Sequence, residues 1–151
     1  MSERKLYHLD LKIDYLPSMN TAATRRHHMA AGKAAKQMRM VVVGMVGSER
    51  RPKEPLRRAR IRCERHSFGV REPESENLQM SFKAAIDALT MSYFKKDKRA
   101  PGGGWWIQRA DVLIDDTPEV LERDYKWFPA PKKQGFIRLV VDEIVEEESE
   151  G

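Results

Sequence analysis

The residues best suited to chemistry in this 151-residue chain are acids. Glu72, Glu74 and Glu76 recur at every second position, with Pro73 after the first. Proline blocks helix at its own position and biases the preceding residue towards extended geometry. In an extended segment the three carboxylates project to one side. Carboxylates so placed repel one another unless a cation lies between them. Lys83 follows Glu76 by seven residues, two helical turns along much the same face. A second acidic pair, Asp115-Asp116, stands just before Thr117-Pro118. Hard carboxylate oxygens suit Mg²⁺, or Mn²⁺ in its place, and such an ion keeps several waters and takes few carboxylates. When bound, it activates water and stabilises charge on a phosphate in transfer. Both acidic groups also have a plainer use. The first is an acidic turn ahead of a core helix, and Asp-Asp-Thr-Pro is good turn chemistry.

The elements that position these acids are legible from periodicity. In residues 6–16, Leu9, Leu11, Ile13 and Tyr15 alternate with His8, Asp10, Lys12 and Asp14, which predicts a half-buried strand. Pro17-Ser18-Met19-Asn20 ends it as a turn. A helix is expected from about Met29 to Val46, with Ala34, Met38 and Val42 on its apolar stripe and Gly47 as its stop. Ala59, Ile61 and Cys63 alternate with Arg58, Arg60, Arg62 and Glu64 in a second strand with a basic face. Leu78, Phe82, Ala85, Ile86 and Leu89 predict a second helix from about Asn77 to Phe94. Residues 95–110 read as an inserted loop, with Pro101-Gly102-Gly103-Gly104 at its centre and Trp105-Trp106 after it. Two strands follow, at about 119–128 and 136–145, and residues 146–151 read as a disordered acidic tail. The order β-α-β-α-β-β predicts an α/β (α+β) fold, a small mixed sheet with two helices packed on it, as one domain over residues 1–145.

Composition narrows the function. Charged residues make up 34% and apolar ones 40%, as in a soluble globular protein. No apolar run approaches the roughly 20 residues that span a bilayer, and no apolar leader opens the chain. Cys63 is the single cysteine, so no internal disulfide can form. These features fit a reducing cytoplasm. Charge is uneven: residues 1–70 hold 16 basic and 6 acidic side chains, and the remainder hold 12 and 17. A basic half that grips phosphate beside an acidic half that holds metal suits phosphodiester cleavage. A phosphate loop and a dinucleotide fingerprint are absent, and Cys63 with His66 lacks the second pair that zinc requires.

The order of motifs resembles the RusA-type Holliday junction resolvases, endonucleases common in phages and prophages. An early strand ends in Pro17-Ser18-Met19-Asn20, and a helix follows with Ala31-Gly32-Lys33-Ala34. The family's hallmark, Asp-x-Asp-Asn-Leu running into a helix with Lys and then Asp-Ala-Leu, is matched by Glu74-Ser75-Glu76-Asn77-Leu78, Lys83 and Asp87-Ala88-Leu89. The later apolar pair and Asp-Asp are matched by Leu113-Ile114-Asp115-Asp116. The resemblance covers roughly residues 8–145. It implies Mg²⁺-dependent cleavage of branched DNA, such as a four-way junction, by a homodimer in a bacterial or phage-infected cell. It implies that Glu74, Glu76 and Asp116 bind metal with Asp115 beside them, and that Lys83 acts at the scissile phosphate. Both early acids are Glu where the family usually has Asp, which moves each carboxylate about 1.5 Å further out. The alternative is therefore a junction-binding protein that keeps the fold and does not cut. The expected DNA surface comprises Arg25, Arg26, Lys33, Lys36, Arg58, Arg60, Lys95, Lys96, Lys98 and Arg99, which would bind phosphates without reading sequence. Trp105 and Trp106 either stack on unpaired bases or pack in the core or a dimer interface.

Overall fold

The computed structural model of the chain describes residues 5–14 and 28–145. The Pro17–Asn20 turn, Arg25, Arg26 and the tail at 146–151 lie outside the described residues. Strand β1 (His8–Asp14) is buried at every second residue, with Leu9, Leu11 and Ile13 facing inward. Helix α1 (His28–Val46) buries Ala34, Met38, Val42 and Val46, one stripe at intervals of four. It stops where Gly47 adopts φ +55° and donates its N–H to the Val43 carbonyl. Strand β2 (Ala59–Ser67) buries Ala59, Ile61 and Cys63 against the helices. Helix α2 (Ser75–Leu89) buries Leu78, Phe82, Ala85, Ile86 and Leu89. Strands β3 (Tyr93–Lys96) and β4 (Gly104–Ile107) form a two-stranded ribbon. Strands β5 (Leu121–Pro129) and β6 (Phe136–Glu143) complete a four-stranded sheet in the order β1-β6-β2-β5.

The main sheet is mixed. β6 runs antiparallel to both β1 and β2, while β5 runs parallel to β2. A parallel pair needs a long crossover, and α2 with the β3-β4 ribbon supplies it. Both helices contribute to one core with the inward residues of the sheet. The other face of the sheet carries a charged lattice. Arg138 donates two hydrogen bonds to the Asp10 carboxylate. The first of these interactions, the hydrogen bond itself, holds Asp10 below the ordinary carboxylate range. Among the described residues, no helix is long and apolar enough to cross a membrane.

The element order and mixed sheet follow the sequence reading, with two corrections. Helix α2 ends at Leu89, five residues before the predicted Phe94. Thr90 terminates it, donating both its N–H and its hydroxyl to the Asp87 carbonyl. Residues 95–110 are no loop: most of them belong to the ribbon, and the Pro-Gly-Gly run is its turn. Gly104 is required there. Its φ is +148°, and a Cβ at that position would meet the Lys95 carbonyl oxygen at 2.1 Å.

Cys63 is fully buried in the core, and burial pushes its thiol up to about 12. A raised acid stays protonated until the pH passes that value, and only the thiolate attacks disulfide reagents. Native protein at pH 8 should therefore react with a thiol-exchange reagent far more slowly than protein in denaturant. Equal rates in the two states would show that this core is open.

Candidate functional site

One helix face and one loop build the site. Glu76, Lys83 and Asp87 are separated by seven and four residues on α2, which places them on a single stripe. Glu76 lies in the first helical turn, where the helix dipole favours a negative charge. The stripe forms one wall of a cleft of about 370 Å³. Asp116, Arg123 and Tyr125 from the loop and β5 form the other wall, with Gln79, Met80 and Ile86 filling in between.

Backbone hydrogen bonds bring Asp116 there. The last carbonyls of a helix lack partners within it. Here Ala110 N–H donates to Ala88 O at 2.8 Å, and Val112 and Leu113 N–H both donate to Leu89 O at 2.9 and 3.0 Å. The same segment is clamped from the other side. Leu56 N–H donates to Val112 O, and Ile114 N–H donates to Leu56 O. Val112 and Leu113 are fully buried, so the segment cannot slide. Two residues beyond the clamp, Asp115 accepts the Asp116 N–H at 2.8 Å through its Oδ1. Arg123 donates to the Asp116 backbone carbonyl and lies 3.8 Å from its carboxylate.

The outcome is a carboxyl pair. Asp87 and Asp116 line the same cleft, and their carboxyls interact electrostatically. Asp87 is raised above the ordinary carboxylate range, first by burial and then by Asp116. Arg109 and Lys83 act in the opposite sense. Arg109 is fixed by a 2.6 Å bond to Thr90 Oγ1, and its buried Nε has no hydrogen-bond partner. The pair thus sits in a positive surround, with Arg123 as the ion-pair partner of Asp116 at 3.8 Å.

The expected site residues divide. Glu76, Lys83 and Asp116 line the same cleft. Glu74 is exposed at the N-cap of α2 and is not among the cleft residues. Asp115 is exposed and serves as the cap of Asp116. The predicted row of Glu72, Glu74 and Glu76 is broken, because α2 begins at Ser75 and takes Glu76 into the helix while Glu72 and Glu74 precede it. Glu76 and Asp87 are eleven residues apart on the helix, about 16 Å along its axis. Accordingly, no group of three or more His, Cys, Asp or Glu converges as a metal site among the described residues. Asp87 was quoted in the motif but not expected at the site. Its signal was its spacing, one turn after Lys83 and three turns after Glu76.

The expected basic surface is spread over three elements. Lys33 and Lys36 are exposed on α1, and Lys95, Lys96, Lys98 and Arg99 are exposed on the ribbon. Arg58 and Arg60 both donate to Glu122, at 2.8 and 3.0 Å, on the charged side of the sheet. Hydrogen bonding to Arg60 holds Glu122 below its ordinary range. No protein-family model matches the chain, and no curated protein matches it significantly.

Two interacting carboxyls in a partly buried cleft cost stability when both are charged. Asp87→Asn should therefore raise Tm, through a gain in stability of up to about 1 kcal/mol, the ceiling that solvent screening sets for a partly exposed pair. A fall in Tm on thermal denaturation would mean that the pair is a structural bond.

Proposed function

We propose that the chain is a divalent-metal-dependent endonuclease acting on branched DNA, similar in kind to the RusA-type resolvases. One observation carries this reading. Lys83 and Asp116, distant motif residues in the resemblance, line one cleft together with Asp87, whose carboxyl interacts with that of Asp116. The donor set fits Mg²⁺ or Mn²⁺. Two carboxylates, with waters and substrate phosphate for the rest, is an ordinary Mg²⁺ arrangement. Asp87 and Asp116 would hold the ion, and Glu76 would face the far end of the cleft.

When bound, the metal supplies a nucleophilic water and a Lewis acid at the phosphate. The protein's own part is positional and electrostatic. Lys83, one turn from Asp87, would bind the phosphate beside the metal and stabilise the charge that grows on it. Arg123 would hold the Asp116 segment through its bond to the backbone carbonyl. The exposed lysines of α1 and the ribbon would grip the DNA backbone in a salt-sensitive, sequence-independent way. The homodimer that the resemblance implies would present two such clefts to a junction.

A second reading has its own observation. Glu74, one of the two acids that are Glu where the family usually has Asp, is exposed outside the cleft, which favours a protein that binds junctions and leaves them uncut.

A labelled four-way junction incubated with Mg²⁺ or Mn²⁺ tests both. Paired nicks should form with metal and disappear with EDTA. Asp87→Asn and Asp116→Asn should each slow cleavage by about 100-fold or more, and Lys83→Ala by a comparable factor. Undiminished nicking in Asp116→Asn would refute the assignment, and tight binding without nicks in either metal would establish the non-cutting protein.

A further inference from the structure

The β3-β4 ribbon is poorly explained as packing. Strand β3 is exposed at all four residues. Tyr93 and Phe94 are 42% and 48% exposed, and across the ribbon Trp105 and Trp106 are 42% and 63% exposed. Of the placements open to the tryptophans, packing in the core is thus excluded. A two-stranded ribbon is marginal by itself, and four rings turned to solvent add nothing to its folding that smaller residues would not. Neighbours along a strand face opposite ways, so Phe94 and Trp106 form one exposed pair and Tyr93 and Trp105 lie on the other face; exposed aromatics so grouped mark a binding surface.

The charge on the ribbon selects the occupant. Phe94 pairs across the ribbon with Trp106, and Lys95 pairs with Trp105. Lys95 Nζ stands 5.5 Å above the Trp105 ring. Lys96, Lys98 and Arg99 are also exposed. The one acid, Asp97, is occupied by the turn: its Oδ1 accepts the Arg99 N–H, and its own N–H donates to Gly103 O. Four cations against one acid would make two copies of this ribbon repel. Each face of the ribbon therefore presents two rings and a lysine, Phe94, Trp106 and Lys96 on one and Tyr93, Trp105 and Lys95 on the other, a set that matches bases and phosphates.

The root of the ribbon is fastened next to the cleft. Arg109 N–H donates to Ser92 Oγ at 2.8 Å, and Ser92 N–H donates to Asp111 at 2.7 Å. The Arg109 guanidinium lies 4.8 Å from the Tyr93 ring and also bonds Thr90, three residues after Asp87.

We infer that the β3-β4 ribbon is a docking arm that an unpaired DNA strand wraps, with Trp106 stacking on bases from one face and Trp105 from the other, and Lys96 and Lys95 meeting the flanking phosphates. The inference rests on the DNA-binding part of the function proposed above and not on cleavage. Its effect would be to hold the opened strand of a branch beside the acidic pair.

Fluorescence anisotropy with labelled oligo(dT) and with a duplex of equal length, both in EDTA, tests it. Trp105→Ala and Trp106→Ala should each weaken oligo(dT) binding about fivefold or more. Duplex binding should change by less than about twofold, since it depends on charge. Trp106→Phe should recover most of the loss. Lys95→Ala should lower the salt dependence by about one counterion. Exposed positions make these variants safe for folding, and Gly104→Val, which cannot keep the turn, should reproduce the double Trp loss. Unchanged oligo(dT) affinity in the double Trp variant would overturn the inference. So would a wild-type dimer that the Trp changes dissociate without altering oligo(dT) binding, because the occupant would then be a second copy. Trp-dependent oligo(dT) binding by a protein that never nicks DNA would leave the arm standing and remove the nuclease.

Discussion

The arrangement depends on how the C-terminal end of α2 is satisfied. Three N–H groups from residues 110–113 donate to the Ala88 and Leu89 carbonyls, where a helix has no donors of its own. A buried carbonyl without a partner costs about 1–3 kcal/mol, so this junction is a strong constraint on the path of the chain. Leu56 holds the same segment from the opposite side. With Val112 and Leu113 buried between them, Asp116 has one place to go. That place adjoins Asp87, the last acid on the helix face.

The fold therefore brings like charges together and surrounds them with opposite ones. Lys83 and Arg109 oppose the rise in Asp87 that burial and Asp116 cause, and Arg123 contacts the Asp116 backbone. Such an arrangement gives up stability locally, as functional sites do. On the other side of the sheet the charges are matched. Arg138 with Asp10, and Arg58 and Arg60 with Glu122, form short bonds that leave little for a ligand. The difference between these two regions singles out the cleft, more than its size does.

Much of this was legible in the sequence where one face of an element is buried. The alternation at Leu9, Leu11 and Ile13 and the period of four through Ala34, Met38 and Val42 are direct consequences of a single core. The end of α2 was not legible, because Met91, Tyr93 and Phe94 continue an apolar run although they lie outside the core. Only the Thr90 bonds to the Asp87 carbonyl reveal the stop. The ribbon was read as a loop because its glycines are turn residues of a hairpin whose exposed strands lack any polar-apolar alternation. The acidic motif drew attention to Glu74 and Glu76, while the tertiary partner of Asp116 proved to be Asp87. That pairing depends on the helix-end junction, a long-range feature that spacing does not encode.

In the proposed function, Asp87 and Asp116 would hold the metal. Titration of the protein with Mn²⁺, followed by calorimetry in the absence of DNA, tests it most directly. Asp87→Asn and Asp116→Asn should abolish binding, and Glu74→Gln should leave it within about twofold of the parent, since Glu74 lies outside the cleft. Binding that survives Asp87→Asn and is lost in Glu74→Gln would contradict the account and return the metal to the N-terminal end of α2.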